Sequence, residues 1–106
     1  MAFIQGKYQE ALDIAKEAIK MDSNNADAYL CAGNANMSFE KYDEAIKYYE
    51  RATECEPENG DRYFHLGYAL ATNSQSAEAI ATFAKADEMG CSPEVTGQLY
   101  KILGML

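Results

Sequence analysis

The chain lacks most of what chemistry at a catalytic or metal centre would need. Its only histidine is His65, so no histidine-based metal site can form. Its three cysteines, Cys31, Cys55 and Cys91, are odd in number and widely spaced, which excludes a disulfide framework, and no C-x-x-C pair is present for zinc. Cys55 and Cys91 read as small hydrophobes or loop residues. No glycine-rich phosphate loop occurs. The chain is therefore not expected to be an enzyme, and no catalytic residue, metal or cofactor is assigned. Basic residues are few: 9 Lys and Arg stand against 17 Asp and Glu, a net charge of −8 with no basic cluster. Nucleic acid would be repelled. No apolar run approaches the ~20 residues that span a bilayer, so membrane insertion is not expected. Met1 to Gln5 show no secretory signal. With free thiols, this pattern points to the reducing cytoplasm.

What the chain does have is a period of 34 residues. Residues 26–59 laid over 60–93 match Asp27 with Asp61, Tyr29 with Tyr63, Gly33 with Gly67 and Ala35 with Ala69. Glu44-Ala45-Ile46 then falls on Glu78-Ala79-Ile80, Ala52 on Ala86 and Glu54 on Glu88. A half-copy precedes them, in which Lys7, Tyr8, Glu10, Ala11 and Ala18 repeat as Lys41, Tyr42, Glu44, Ala45 and Ala52. Self-similarity of this length marks stacked repeats, each burying its apolar face on the next.

Each unit reads as two helices. Tyr29, Ala32, Gly33 and Asn36 recur at helical spacing within 26–38, as do Tyr42, Ala45, Ile46, Tyr49, Ala52 and Cys55 within 41–55. Phe39-Glu40-Lys41 links them, and Pro57 to Gly60 ends the unit. Residues 61–73 and 77–89 repeat the pair, with Gly90 as its cap. Residues 7–21 give one more helix of the second type. Ser92-Pro93 starts a closing helix to about Leu106, whose apolar stripe is Val95, Leu99, Ile102, Leu103 and Leu106. In strict repeat phase Gly97 and Lys101 would turn inward instead, so the stripe implies a register slip of a few residues. No strand pattern is present. Gly33 and Gly67 let paired backbones approach, while Tyr49 and Phe83 fill the space between.

These residues resemble the tetratricopeptide repeat, an aromatic, then Leu-Gly three residues on, then Tyr, Ala, an aromatic, Ala and Pro. The first whole unit carries Tyr29, Ala32-Gly33, Tyr42, Ala45, Tyr49, Ala52 and Pro57. The second carries Tyr63, Leu66-Gly67, Ala79, Phe83 and Ala86, and the half-unit Gly6, Tyr8, Ala11 and Ala18. Asn36 departs from the usual Tyr, Cys91 replaces the closing proline, and Asn73-Ser74-Gln75-Ser76 replaces the usual turn, where a looser link is expected. The resemblance implies an all-α fold, a right-handed superhelix (solenoid) of antiparallel helix pairs. One domain over 1–106 then comprises the second helix of a partial repeat (6–25), repeats at 26–59 and 60–93, and a capping helix at 93–106.

The first helix of each unit is apolar on two faces. At 100° per residue, Asp27, Leu30, Asn34 and Met37 lie opposite the face that meets the paired helix. The matching positions in the next unit are Asp61, Phe64 and Tyr68, flanked by His65. Such residues line the concave groove that the resemblance implies, and they form the candidate peptide-binding site. Cys31 and His65 hold equivalent positions, but on stacked helices they lie on the order of 10 Å apart, beyond the reach of a catalytic pair. Some members of the family clamp a C-terminal carboxylate with Lys, Asn and Arg. Only Asn34 matches here, so such tails are not expected.

The expected function is that of a protein–protein interaction module, binding a peptide or helix of a partner. Asp27 and Asp61 favour an apolar ligand with basic flanks. The alternatives are a self-assembling scaffold and a regulatory segment of a larger protein. Met1 to Ile4 resemble the tail of a preceding helix, which leaves residues 7–21 covered on one side only. That implies a longer array, or a homodimer through the unpaired N-terminal helix.

Overall fold

The computed structural model describes residues 2–91, with side chains from residue 6, and beyond them Val95, Gly97, Gln98 and Lys101. Among the described residues there are five helices and no strand: α1 (Ala2–Met21), α2 (Ala26–Ser38), α3 (Tyr42–Cys55), α4 (Gly60–Thr72) and α5 (Ser76–Met89). Each packs on the next in chain order, α4 with α5 and α2 with α3 most extensively. The helix pairs predicted from the 34-residue period appear within about a residue of their expected bounds.

The repeat is visible down to single hydrogen bonds. Asn25 and Asn59 cap α2 and α4, accepting from the backbone N–H groups of Ala28 and Asp61, as short polar side chains do for the unpaired amides of a helix start. The Tyr29 hydroxyl donates to the Ser23 carbonyl and the Tyr63 hydroxyl to the Pro57 carbonyl, both at 3.0 Å. The Arg51 guanidinium sits 5.4 Å from the Tyr29 ring centroid, and the Lys85 ammonium 5.9 Å from that of Tyr63. Asn36, the residue that departs from the family's Tyr, is buried and donates to the Ala32 carbonyl at 2.9 Å, which satisfies it within its own helix.

Both intra-pair links reverse through one left-handed residue, Glu40 (φ 61°) and Ser74 (φ 64°). In each, the following amide bonds back to an interior carbonyl, Lys41 to Asn36 at 2.8 Å and Gln75 to Leu70 at 2.9 Å. The second link is not looser than the first. The Asn73 amide nitrogen holds it, donating to Gln75 at 2.8 Å and to Asp43 at 3.0 Å. Gly90 caps α5 at φ 86°.

The N-terminal part departs from expectation. Residues 2–4, read as the tail of a separate helix, belong to α1, which runs unbroken through Gly6 to Met21. Continuing the helix satisfies the backbone donors and acceptors within the segment itself. The closing helix predicted for 93–106, its Ser92-Pro93 cap and most of its stripe lie outside the described residues. Of those described, Val95 is half-buried against the α4–α5 core, while Gly97 and Lys101 are exposed, as the stripe requires.

The glycines explain how closely the helices pair. A Cβ on Gly33 would meet the Tyr49 ring at 2.5 Å, and one on Gly67 the Phe83 ring at 2.7 Å. Each aromatic lies on the glycine across the pair. Three apolar clusters follow: Leu12, Ala15, Ala32 and Ala35; Ala45, Tyr49 and Ala69; and Phe64, Leu70, Ala79, Phe83 and Ala86.

Candidate functional site

A cavity of about 300 Å³ opens where residues of α2 and α4, the first helices of the two complete units, meet beside Tyr49 of α3. It is lined by Asn34 and Met37 of α2, Tyr49 of α3, Phe64, His65 and Tyr68 of α4, and Gln98. Five of the eight residues expected from sequence are thus gathered: Asn34, Met37, Phe64, His65 and Tyr68.

The members differ in how much they offer. Tyr68 is 50% exposed and Met37 half-buried, whereas Phe64 is only 5% exposed. Phe64 lies 5.8 Å from the Phe83 ring centroid and belongs to the α4–α5 core. Its role is chiefly to hold the fold, and it reaches the cavity only at its edge. Leu30 is half-buried against Ala45, Tyr49 and Ala69 and stands beside the cavity rather than in it.

The two acidic positions lie outside the cavity lining. Asp27 accepts from the Arg62 guanidinium, which also donates from Nε to Glu56 at 2.8 Å. Burial works against the Arg62 charge, and the two carboxylates outweigh it, so its pKa is raised. This bridge ties α2 to α4 across the junction of the two units. With Asp27 82% exposed, solvent leaves the pair worth no more than about 1 kcal/mol. Asp61 is half-buried and acts on His65 through charge, pulling its pKa upward.

Tyr49 and Gln98 were not among the expected site residues. The Tyr49 hydroxyl donates to Asn34 Oδ1, which orients the asparagine amide at the cavity edge. Burial pushes the Tyr49 phenol above its ordinary pKa, so it stays protonated and remains a donor. The His65 ring stacks on Tyr49 at 5.9 Å and meets Phe64 edge-on at 5.8 Å. Burial first, then the Arg62 charge, lowers the His65 pKa and favours the neutral imidazole, with Asp61 opposing. The site therefore offers a fixed amide, a neutral imidazole and an exposed phenol around an apolar floor. Among the described residues no group of three or more His, Cys, Asp or Glu could hold a metal ion, and no helix is long and apolar enough to cross a membrane.

A tetratricopeptide-repeat family profile matches residues 2–63, more than half of the chain, and a second tetratricopeptide-repeat profile matches residues 48–81. The chain belongs to the tetratricopeptide-repeat family. Several solved structures of MamA resemble it. One is 31% identical with a TM-score of 0.75, over 82% of this chain and 51% of that one. MamA 41-end from Desulfovibrio magneticus RS-1 is 24% identical with a TM-score of 0.75, over 83% and 49%. The chain spans about half the length of these structures. No curated protein sequence matches it. Tetratricopeptide-repeat solenoids as a class serve as protein-interaction or scaffold modules.

Proposed function

We propose that this tetratricopeptide-repeat domain binds a short segment of a partner protein against the cavity between α2 and α4. The bound segment is apolar or amphipathic with basic flanks, held as an extended peptide or a helix. The observation that carries this reading is Tyr68: a half-exposed aromatic on an apolar cavity, beside an asparagine amide already oriented by Tyr49. Exposed apolar surface rimmed by polar groups usually marks an interaction site, and tyrosine is enriched where binding energy concentrates. The predicted residues Asn34, Met37, His65 and Tyr68 make the contacts, and Asp27, Asp61 and Leu30 border them. Asp61 and the net charge of −8 favour the basic flanks. Two units give a short groove, so an affinity in the micromolar range fits its area. The three cysteines, none of them in a disulfide among the described residues, suit a reducing compartment such as the cytoplasm.

The test is selection of a short-peptide library on the chain, then calorimetric titration of the enriched peptides. Peptides with Lys or Arg flanking apolar residues are expected. Tyr68→Ala, which touches no core cluster, is expected to weaken them about tenfold, near 1.4 kcal/mol, with helicity unchanged. Equal affinity for the variant removes Tyr68 and this cavity from the reading.

Self-assembly through α1 is the second reading. Ile14 and Met21 are 64% and 87% exposed on that helix, and an isologous dimer is the simplest arrangement that covers such a face.

A further inference from the structure

His65 is the chain's only histidine, and it lines the same cavity as Tyr68. Imidazole is the side chain whose ordinary charge change falls between pH 5 and 8. The place of this ring couples that change to whatever occupies the cavity. It stacks on Tyr49 at 5.9 Å and meets Phe64 edge-on at 5.8 Å. His65 is still only half-buried, so a segment seated in the cavity would cover more of it.

Among the described residues, the charged and titratable groups around the ring are few. On its own helix Asp61 favours the imidazolium and Arg62 disfavours it. Asp27 of α2 reaches the region through its pairing with Arg62. From α3 comes the Tyr49 phenol, which burial keeps neutral, and α4 adds the Tyr68 phenol. Asn34 and Met37 of α2, and Gln98, line the cavity without charge. The faces of the aromatic rings attract a cation as well. All of these act on the imidazole whether or not the cavity is occupied. Only what a ligand adds enters the coupling between proton and ligand.

An apolar segment with basic flanks adds two effects, and they have the same sign. It takes water from a half-buried imidazole, which penalises the charged ring and spares the neutral one. Its flanks bring positive charge beside the ring, and a flank that settles on Asp61 offsets the negative charge that supports the imidazolium. The neutral ring is therefore the binding form. By reciprocity, the bound segment weakens the proton as much as the proton weakens the segment.

We infer that the Tyr68 cavity is proton-gated: it holds its basic-flanked segment while the His65 ring is neutral and releases it when that ring takes up a proton. The gate rests on the proposed binding of that segment at Tyr68. Burial and Arg62 hold the ring's pKa below the ordinary imidazole value, so the segment stays bound at neutral pH and leaves under acid conditions.

A single histidine makes the test direct, because the NMR signals of its ring need no assignment among others. The probe is an acetylated and amidated peptide of apolar residues with lysines on both flanks, selected from a library of that composition by binding at pH 7.5. It carries no group that titrates between pH 5 and pH 7.5. Following the ring signals through that range should give a lower pKa with the peptide bound than without it. The calorimetric affinity should fall about tenfold from pH 7.5 to pH 5. His65→Asn, whatever its affinity at pH 7.5, should flatten that fall. A bound-state pKa equal to or above the free value overturns the gate, as does a pH dependence that His65→Asn keeps. Either result leaves the site itself standing when Tyr68→Ala still weakens the peptide at pH 7.5. No binder at pH 7.5, or binders indifferent to Tyr68→Ala, overturns the site and the gate together.

Discussion

In the α2–α3 pair the ring over the glycine is Tyr49, whose hydroxyl donates to Asn34 at the lip of an open cavity. In the α4–α5 pair the same position holds Phe83, fully enclosed, with Phe64 tilted against it at 5.8 Å. The backbone arrangement is repeated, with the same caps, the same reversal and the same tyrosine bonds to the preceding turn. One oxygen atom separates the two rings, and it changes what each pair does. The phenol must find a partner when buried, so it draws a polar residue to the junction and leaves that side structured but open. The phenyl ring has no such demand and gathers Leu70, Ala79 and Ala86 into a continuous core. A repeat protein can in this way enclose the ring of one unit in a core and leave that of its neighbour beside an open cavity without altering the fold.

Removing the enclosed ring should break the comparison most severely. Phe83→Ala deletes a side chain with no exposed surface, and core Phe→Ala changes cost about 3–5 kcal/mol. Urea unfolding followed by circular dichroism should show a loss of this size, a large share of the stability of a domain this small. An effect below about 1 kcal/mol would mean that the α4–α5 pair is not the more tightly held unit.

Adding one methyl to each glycine sharpens the comparison. Gly33→Ala presents the tighter nominal contact, 2.5 Å against 2.7 Å for Gly67→Ala. The distances alone therefore rank Gly33→Ala as the worse change. The surroundings rank them the other way, because the Tyr49 ring can yield toward the open cavity while the Phe83 ring has core on every side. Overpacking costs about 1–3 kcal/mol where nothing can move, and a helical Gly→Ala change returns about 0.5–1 kcal/mol through propensity. Gly67→Ala is thus expected to destabilise by about 1–2 kcal/mol and Gly33→Ala by less. Matched thermal melts of the two variants decide which ranking holds.

Much of this was legible in the sequence, for identifiable reasons. The glycine-to-ring contacts repeat in phase, so Gly33 and Tyr49 announce Gly67 and Phe83. The angular position of Asn34, Met37 and Tyr68 follows from 100° per residue, and these do gather at one cavity. Angle does not give depth, however. Phe64 and Tyr68 share a face of α4, yet Phe64 sinks into the core because Phe83 and Leu70 lie beneath it. Tyr49 reads as a spacer in the pattern, and nothing local signals that its hydroxyl reaches Asn34. Arg62 and Asp27 are separated by 35 residues, one more than the period, so superposing repeats does not pair them. Gln98 falls after Cys91, where the repeat phase is lost.

The smallest effect expected is on pH dependence, and it belongs to the cavity between the two pairs. His65 bridges the two units, its ring stacked on Tyr49. Burial, and then the Arg62 charge, hold its pKa below the ordinary imidazole value, while Asp61 opposes them. In the unfolded chain it should titrate near ~6.5. The unfolded state therefore takes up a proton at a higher pH than the folded state does. Stability is full above ~6.5 and declines as pH falls toward the lower folded value, below which the His65 contribution levels off. Between about pH 7.5 and pH 5, the denaturation midpoint of the native chain should fall, and that of His65→Asn should fall less. Phe83 itself does not titrate, so Phe83→Leu should retain the native slope. A His65→Asn profile parallel to that of the native chain would show that carboxylates elsewhere set the dependence, and that the imidazole is as well solvated in the folded protein as in the unfolded one.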